Sequence, residues 1–237
     1  MTPKDDRRLS GPDRASWLLQ LRRENEEQEA TLAEEFDARW GEIQPTHRAW
    51  VERFLSMLPP EGHVLDAACG TGKYVGMVLE TGRSVLGADH TDAYLTRLRE
   101  KFPAVSTAKH DLQDLPYEGE FDGLMCVDAM EFVPPEDWPV VLEGFRRALR
   151  PGGWLYLTVE LVAEDEVRAT NEEARRAGLS VVDGEVIWRD PEPYYHFYPA
   201  IPRARSWMAD AGFVIEGEVE GPWDEGYAYH HLLARLS

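Results

Sequence analysis

The sequence predicts an α/β fold: a parallel sheet with helices packed on both faces. Three observations carry that expectation. Five short apolar runs, at residues 64–67, 84–88, 104–109, 121–127 and 154–159, alternate with amphipathic helical patterns. The runs are apolar nearly throughout, as strands covered on both faces are. The first of them runs straight into a glycine turn that opens a helix.

Taken in order, residues 1–14 are polar and read as a frayed start. Residues 15–40 read as one helix, with Trp17, Leu18 and Leu21 on one side and a Glu-rich stretch behind them. A second helix is expected at 46–58, carrying Trp50, Val51, Phe54 and Leu55 and stopped by Pro59-Pro60. Helices at 72–80, 92–102 and 136–149 then separate the strands. The second of these shows Leu95, Leu98 and Phe102 at helical spacing and ends at Pro103, and the third ends at Arg150-Pro151-Gly152-Gly153. Beyond Glu160 the alternation breaks. A Glu- and Arg-rich helix is expected at 163–178 and a β-hairpin at 181–188, where Asp183-Gly184 offers the positive φ of a type I′ turn. The aromatic segment Tyr194-Tyr195-His196-Phe197-Tyr198 follows, then a helix at 202–211 and strands at 213–219 and 227–236. The expected organisation is a helical extension over 1–60 and one α/β domain over 61–237, with a cap inserted at 161–201 after the fifth strand.

Composition excludes several classes. The chain of 237 residues is 43% apolar and 11% aromatic, enough for a packed core and against disorder. Its formal net charge of −19, with no basic run longer than an Arg pair, argues against DNA and against anionic membrane surfaces. No run of 18 apolar residues is present, and residues 1–10 lack the apolar core of a secretory signal. Cys69 and Cys126 form no metal-type pair and suit a reducing compartment as small buried groups. A cytoplasmic monomer or homodimer is expected.

The most informative segment is Val64-Leu65-Asp66-Ala67-Ala68-Cys69-Gly70-Thr71-Gly72. Glycine at such a strand–helix turn lets the backbone lie against a nucleoside and takes up positive φ. The second strand ends in Asp89, nineteen positions after Gly70, where a carboxylate accepts both hydroxyls of a ribose. Charge-assisted hydrogen bonds are worth roughly 1.5–3 kcal/mol each, so losing the pair costs on the order of 100-fold in affinity. The competing reading is that Asp89 caps the next helix together with Thr91 or Asp92. In His110-Asp111-Leu112-Gln113-Asp114-Leu115-Pro116, Asp111 is placed to accept from an adenine amino group and Leu112 to offer its N–H. The fourth strand ends Cys126-Val127-Asp128-Ala129-Met130-Glu131-Phe132, across the cleft at the switch point of an open sheet.

The ordered set VLDAACGTGKY, VLGADHT, HDLQDLPY, FDGLMCVDAMEFV and ALRPGGWLYLTV resembles the motif series of class I S-adenosylmethionine-dependent methyltransferases, over residues 62–160. The tail AGFVIEGEVE and the last apolar strand are similar to that family's closing antiparallel strands. The resemblance implies a Rossmann-like seven-stranded sheet in the order 3-2-1-4-5-7-6, and S-adenosylmethionine as cofactor. It implies that Asp66, Ala67, Gly70 and Gly72 shape the methionine end and that Asp89 holds the ribose. It further implies that His90 flanks the adenine, that Asp111 and Leu112 read it, and that Asp128 and Met130 close the pocket.

Two other readings compete with this one. Gly70, Gly72 and Gly76 also satisfy a dinucleotide-type spacing, but Asp89 would repel a 2′-phosphate and Asp66 adds charge beside a pyrophosphate, against an NADP-dependent oxidoreductase. A non-catalytic cofactor-binding protein is the second. Nucleic-acid amino methylation is disfavoured because the fourth strand ends Asp128-Ala129-Met130-Glu131, with no Asn/Asp-Pro-Pro-aromatic segment. The expected activity is in-line methyl transfer to a small-molecule nucleophile, catalysed largely by alignment. Candidate general bases are His196, Tyr195 and Glu131, with His230 and His231 more readily structural. Trp40, His47, Tyr194, His196 and Tyr198 are expected to line the acceptor pocket, and no His/carboxylate array has metal spacing.

Overall fold

The computed structural model describes residues 12–189, 194–223 and 227–237. The expected frayed start therefore lies largely outside the described residues. The core strands are β1 (His63–Ala67), β2 (Ser84–Asp89), β3 (Ser106–Lys109), β4 (Phe121–Cys126) and β5 (Leu149–Val162), all parallel. Two further strands close the sheet, β8 (Phe213–Glu220) and β9 (Tyr227–Leu236), with β9 antiparallel to both β5 and β8. The order is β3-β2-β1-β4-β5-β9-β8. Counting the strands of this sheet alone, that is 3-2-1-4-5-7-6.

Alternation along the strands sorts the core onto two faces. Leu65, Leu124, Leu155 and Leu157 face helix α6 (Trp138–Ala148), whose Trp138, Val141, Leu142 and Phe145 are fully buried. Val64, Met125, Tyr156 and Leu233 face the other way, onto α3 (Pro45–Met57), α4 (Val75–Glu80) and α5 (Asp92–Lys101). In α3 the residues Trp50, Val51, Phe54 and Leu55 recur at i, i+1, i+4 and i+5, one continuous buried stripe.

Two expectations at the periphery are corrected. The single amino-terminal helix is two, α1 (Pro12–Leu32) and α2 (Phe36–Trp40), separated by a turn in which the Glu35 N–H donates to the Leu32 carbonyl at 3.0 Å. Glu34 and Glu35 oppose the dipole at the end of α1, while Asp37 suits the start of α2. The hairpin strands are β6 (Glu185–Trp188) and β7 (Tyr194–Phe197), so Asp183-Gly184 lies before the hairpin and not at its tip. Of that dipeptide only Gly184 has positive φ, 88°, and Glu185 N–H donates to the Val182 carbonyl at 3.1 Å, the pattern of a type II turn.

The segment after β5 begins with α7 (Glu164–Arg176), which packs on β6 through Asn171, whose amide donates to Val182 O at 2.7 Å and Glu185 O at 2.6 Å. Glu185 is fully buried and compensated: Arg14 Nη2 of α1 lies 2.6 Å from Oε1, and the Tyr195 hydroxyl donates to the same oxygen at 2.6 Å. Arg14 also reaches Glu136 at 2.5 Å. One arginine thus ties α1, the hairpin and the approach to α6 together. The last helix, α8 (Ile201–Asp210), covers β8.

Candidate cofactor and acceptor site

β1 leaves the sheet into a turn with positive φ at Ala68 (60°), Gly70 (53°) and Gly72 (84°). A Cβ at Gly72 would sit 3.0 Å from Leu98 Cγ, so both its φ and its neighbour require glycine. The turn is anchored to β2: the Cys69 N–H donates to Ala88 O at 3.0 Å. Asp89, only 5% exposed, accepts from Gly70 N–H through Oδ2 and from Thr91 N–H through Oδ1, both at 2.8 Å. It fixes the approach to α5 through the N–H of the N-cap Thr91 without capping an N–H of the helix's first turn, and each oxygen keeps a second lone pair. Asp66 is 2% exposed and its Oδ2 has no partner. Burial, then the charge of Asp89, pushes its carboxyl up to about 8. An orphaned carboxyl oxygen and a half-used carboxylate beside a glycine turn fit a ligand that brings hydroxyl donors and a cation.

The amino-terminal helices lie over this turn. Thr71 Oγ1 donates to Asp37 Oδ1 at 2.5 Å, Lys101 Nζ reaches the same carboxylate at 2.8 Å, and Phe36 approaches to 3.9 Å of where a Gly70 Cβ would stand. Along α1, Glu29 Oε2 accepts from Thr91 Oγ1 at 2.9 Å and lies 3.0 Å from His90 Nε2. Burial opposes charge on His90, but the hydrogen bond and charge of Glu29, with Asp89 and Asp111, outweigh it and raise the imidazole to about 9. Arg22 lies 3.5 Å from Asp111 and donates to Asp137 at 2.9 Å, and Glu26 pairs with Lys109 at 2.9 Å. Asp111 Oδ1 meanwhile accepts from Gln113 N–H at 3.2 Å, starting the 3₁₀ turn Leu112–Asp114. A cavity of about 340 Å³ opens between α1 and the strand ends, lined by Arg22, Glu26, His90, His110 and Asp111 among others. Sequence reasoning missed Arg22, Glu26 and Glu29. Their i, i+4, i+7 spacing, one polar face of a helix, was the available signal.

The second half of the site lies at the ends of β4 and β5. Asp128 holds a φ of 60°, its N–H donates to Thr158 Oγ1 at 2.8 Å, and its carboxylate accepts from the Tyr229 hydroxyl. Met130, fully buried, starts the 3₁₀ turn Met130–Phe132. Glu131, 4% exposed, is raised well above the carboxylate range by burial and by Asp128 and Glu160, and its Oε2 has no partner. Glu160 is pushed up to about 8 by burial and Asp128. His196 Nδ1 lies 2.6 Å from the Tyr198 hydroxyl and 3.5 Å from Glu160 Oε2, and its Nε2 is buried without a partner. Burial holds this imidazole neutral, down to about 3.

The strand pleat divides the aromatic segment. Tyr194, His196 and Tyr198 gather with Phe132, whose ring meets that of His196 edge-on at 4.7 Å. Tyr195 points the opposite way, onto Glu185 and Trp17, and so lies apart from the other two base candidates. His47 meets Tyr229 at 4.7 Å and is lowered to about 4 by burial and Lys73, which places it behind Asp128. Trp40 is 43% exposed on α2, against Phe36 and Arg39, and does not reach this group. His231 bonds Tyr156 at 2.8 Å, and His230 bonds Glu218 at 2.9 Å, both parts of the sheet's own packing.

Comparison with known proteins bears on this geometry. Residues 64–153 match the methyltransferase domain family. A ubiquinone biosynthesis O-methyltransferase of Thiobacillus denitrificans is 29% identical over 152 residues, 62% of this chain and 60% of that protein. A tRNA (carboxymethyluridine(34)-5-O)-methyltransferase of Arabidopsis thaliana is 30% identical over 118 residues, 49% of this chain and 28% of that protein. The chain spans about half the length of the first curated relatives it matches. Among solved structures, a SAM-dependent methyltransferase from Methanosarcina mazei superposes with a TM-score of 0.69 at 16% identity, covering 82% of this chain and 98% of that one. Residues 64–153 are thus similar to a methyltransferase domain, and the sheet as a whole has the fold of that solved structure. No described helix is long and apolar enough to cross a membrane.

Proposed function

We propose that this protein transfers a methyl group from S-adenosylmethionine to a small-molecule nucleophile. The observation that carries the reading is Asp89: a buried carboxylate, fixed by two backbone N–H groups against a positive-φ glycine turn, with one lone pair on each oxygen left for a ribose hydroxyl. Asp66, Ala67, Gly70 and Gly72 would hold the methionine end, His90, Asp111 and Leu112 the adenine, and Asp128 and Met130 the wall between cofactor and acceptor. When bound, the cofactor supplies an electrophilic methyl on a sulfonium, displaced in line. The chain's part is to exclude water, align the acceptor and take up a proton where the acceptor carries one. His196 and Glu131 are the groups placed for that, while Tyr195 is not.

A small acceptor is supported by the net charge of −19, which opposes polynucleotide binding, and by the relative that acts in ubiquinone biosynthesis. The likeness to the tRNA enzyme covers only 28% of that protein. The test is calorimetry with S-adenosylhomocysteine, with NADPH in parallel, followed by incubation with methyl-labelled cofactor and either small-molecule extract or tRNA. Asp89→Ala should bind S-adenosylhomocysteine on the order of 100-fold more weakly. Unchanged affinity in Asp89→Ala, or labelling of tRNA alone, would refute the reading. Saturable binding with no labelled product would identify a cofactor sensor.

A further inference from the structure

We infer that the methyl acceptor is an amine, bound through its nitrogen by the carboxyls of Glu131 and Glu160 beside Asp128 and enclosed by Tyr198, Tyr229 and His196. This rests on the methyltransferase reading above and names its substrate class.

Several carboxylates away from the cleft are ion-paired. Glu185, fully buried, has Arg14 at 2.6 Å. The part-exposed Asp37 has Lys101 at 2.8 Å, and the part-exposed Asp122 has Arg150 at 2.5 Å. Glu131 and Glu160, like Asp66 at the glycine turn, depart from that pattern. Among the described residues neither is ion-paired with a Lys or Arg, and the only cationic-capable partner of Glu160 is His196 at 3.5 Å, which burial keeps neutral. Glu131 Oε2 and Glu160 Oε2 are both buried without a hydrogen-bond partner. Lys73, whose charged form Asp128 and Glu42 favour, is disfavoured as a cation by burial. Three carboxyls therefore converge with no Lys or Arg ion pair among the described residues, a costly arrangement unless a ligand completes it.

The ligand's chemistry follows from the donors and acceptors offered. Carboxylates only accept, or donate once when protonated, so the missing group must bring N–H or O–H donors. The Tyr198 hydroxyl sits between His196 Nδ1, at 2.6 Å, and Glu160, whose carboxyl it stabilises in the charged form; it also accepts from Trp188 Nε1 at 3.0 Å. With that hydroxyl's hydrogen directed at Glu160, Nδ1 carries the imidazole hydrogen and the orphaned Nε2 presents a lone pair. A further acceptor thus faces a ligand already surrounded by acceptors. Among the described residues no group of three or more such side chains is arranged to hold a metal ion. The rings of Phe132, Tyr198 and Tyr229 suit an organic cation instead. Asp66 and Asp89 serve the other end of the cleft, at the glycine turn, so these carboxyls are additional to those of the cofactor.

The chemistry closes. An ammonium entering the site gives one proton to the Glu131–Glu160 pair. The freed nitrogen lone pair forms the N–C bond as the C–S bonding pair goes to sulfur, turning the sulfonium into a neutral thioether. The N-methyl product carries the positive charge that the sulfonium lost.

The test uses the full chain saturated with S-adenosylhomocysteine and matched probes graded in size: ethylamine, 2-phenylethylamine and 2-(1-naphthyl)ethylamine, with the corresponding alcohols and carboxylates. Binding is read by calorimetry and thermal shift. At least one amine should bind ten times or more tightly than its alcohol, and its carboxylate should not bind. Glu131→Gln and Glu160→Gln should each reduce that amine-to-alcohol ratio at least tenfold, with S-adenosylhomocysteine binding reporting that the variants are folded. If no amine exceeds its alcohol while S-adenosylhomocysteine binds, the amine assignment fails and the methyltransferase reading stands. If Glu131→Gln weakens S-adenosylmethionine but not S-adenosylhomocysteine, the carboxyls serve the sulfonium, which also overturns it. Failure of S-adenosylhomocysteine to bind at all sinks the underlying reading.

Discussion

His90 Nε2 and Glu29 Oε2 lie 3.0 Å apart, joining the end of β2 to the amino-terminal helix beside the cavity proposed to take adenosine. The same glutamate oxygen accepts from Thr91, and Thr91 N–H donates to Asp89. The strand end proposed to hold ribose and the helix that covers it are thus one hydrogen-bonded unit. Movement of α1 would therefore have to break this contact.

That link has a pH dependence. His90 is raised from 6.5 to about 9 in the folded chain, so its contribution to stability is complete below pH 6.5 and disappears as pH rises through 9. Hydrogen exchange of α1 amides should therefore accelerate between pH 7 and 10, beyond the intrinsic rise with hydroxide. Glu29→Gln should remove most of the dependence, and a parallel profile in wild type and variant would refute it.

The Arg14–Glu185 pair makes a separate prediction for stability. Arg14→Ala leaves a fully buried carboxylate without its cation, a loss of about 3–5 kcal/mol for such pairs. In a chain of this size that lowers Tm by roughly 10 °C. The double change Arg14→Met with Glu185→Leu should recover much of it, because the uncompensated charge goes too.

Tyr195 and Tyr198 are three residues apart and face opposite ways, so removing each hydroxyl should have different consequences. Tyr195→Phe takes a donor from buried Glu185 and should cost about 1–3 kcal/mol of stability while sparing turnover. Tyr198→Phe leaves Trp188 Nε1 and His196 Nδ1 without their partner and should cost stability as well, but unlike Tyr195→Phe it should also lower kcat, since that hydroxyl orders His196. His196→Ala should also lower kcat. If both Tyr198→Phe and His196→Ala leave turnover untouched, the acceptor pocket lies elsewhere.

These contrasts show what the sequence could and could not convey. The glycine turn and the strand-end carboxylates Asp66, Asp89 and Asp128 were legible because each is set by its own strand and the turn after it. The division of Tyr194–Tyr198 into two faces follows from a strand's period of two, but only once that segment is known to be a strand. Glu29 and Arg22 were not legible as pocket residues, because their place depends on the path α1 takes across the sheet and on the break at Glu34-Glu35. The hairpin was misplaced because Asp183-Gly184 does form a turn, while the pairing of Glu185–Trp188 with Tyr194–Phe197 is decided by packing on α7 and the 3₁₀ turn Met130–Phe132.

Asp66 offers the last and most discriminating measurement. Its carboxyl is raised from 3.8 to about 8, so the folded chain prefers it protonated, and that contribution to stability, present below pH 3.8, is lost as pH rises through 8. A ligand ammonium placed against it reverses the preference by favouring the charged form. Affinity for S-adenosylhomocysteine, which keeps the amino-acid ammonium, should then tighten between pH 6 and 8, by at most about tenfold per pH unit for a single linked proton. Adenosine, lacking that end, should show no such trend, and Asp66→Asn should flatten the S-adenosylhomocysteine profile. If instead affinity falls with rising pH, Asp66 acts as a protonated donor to the ligand, and the charge complementarity argued for the methionine end is wrong.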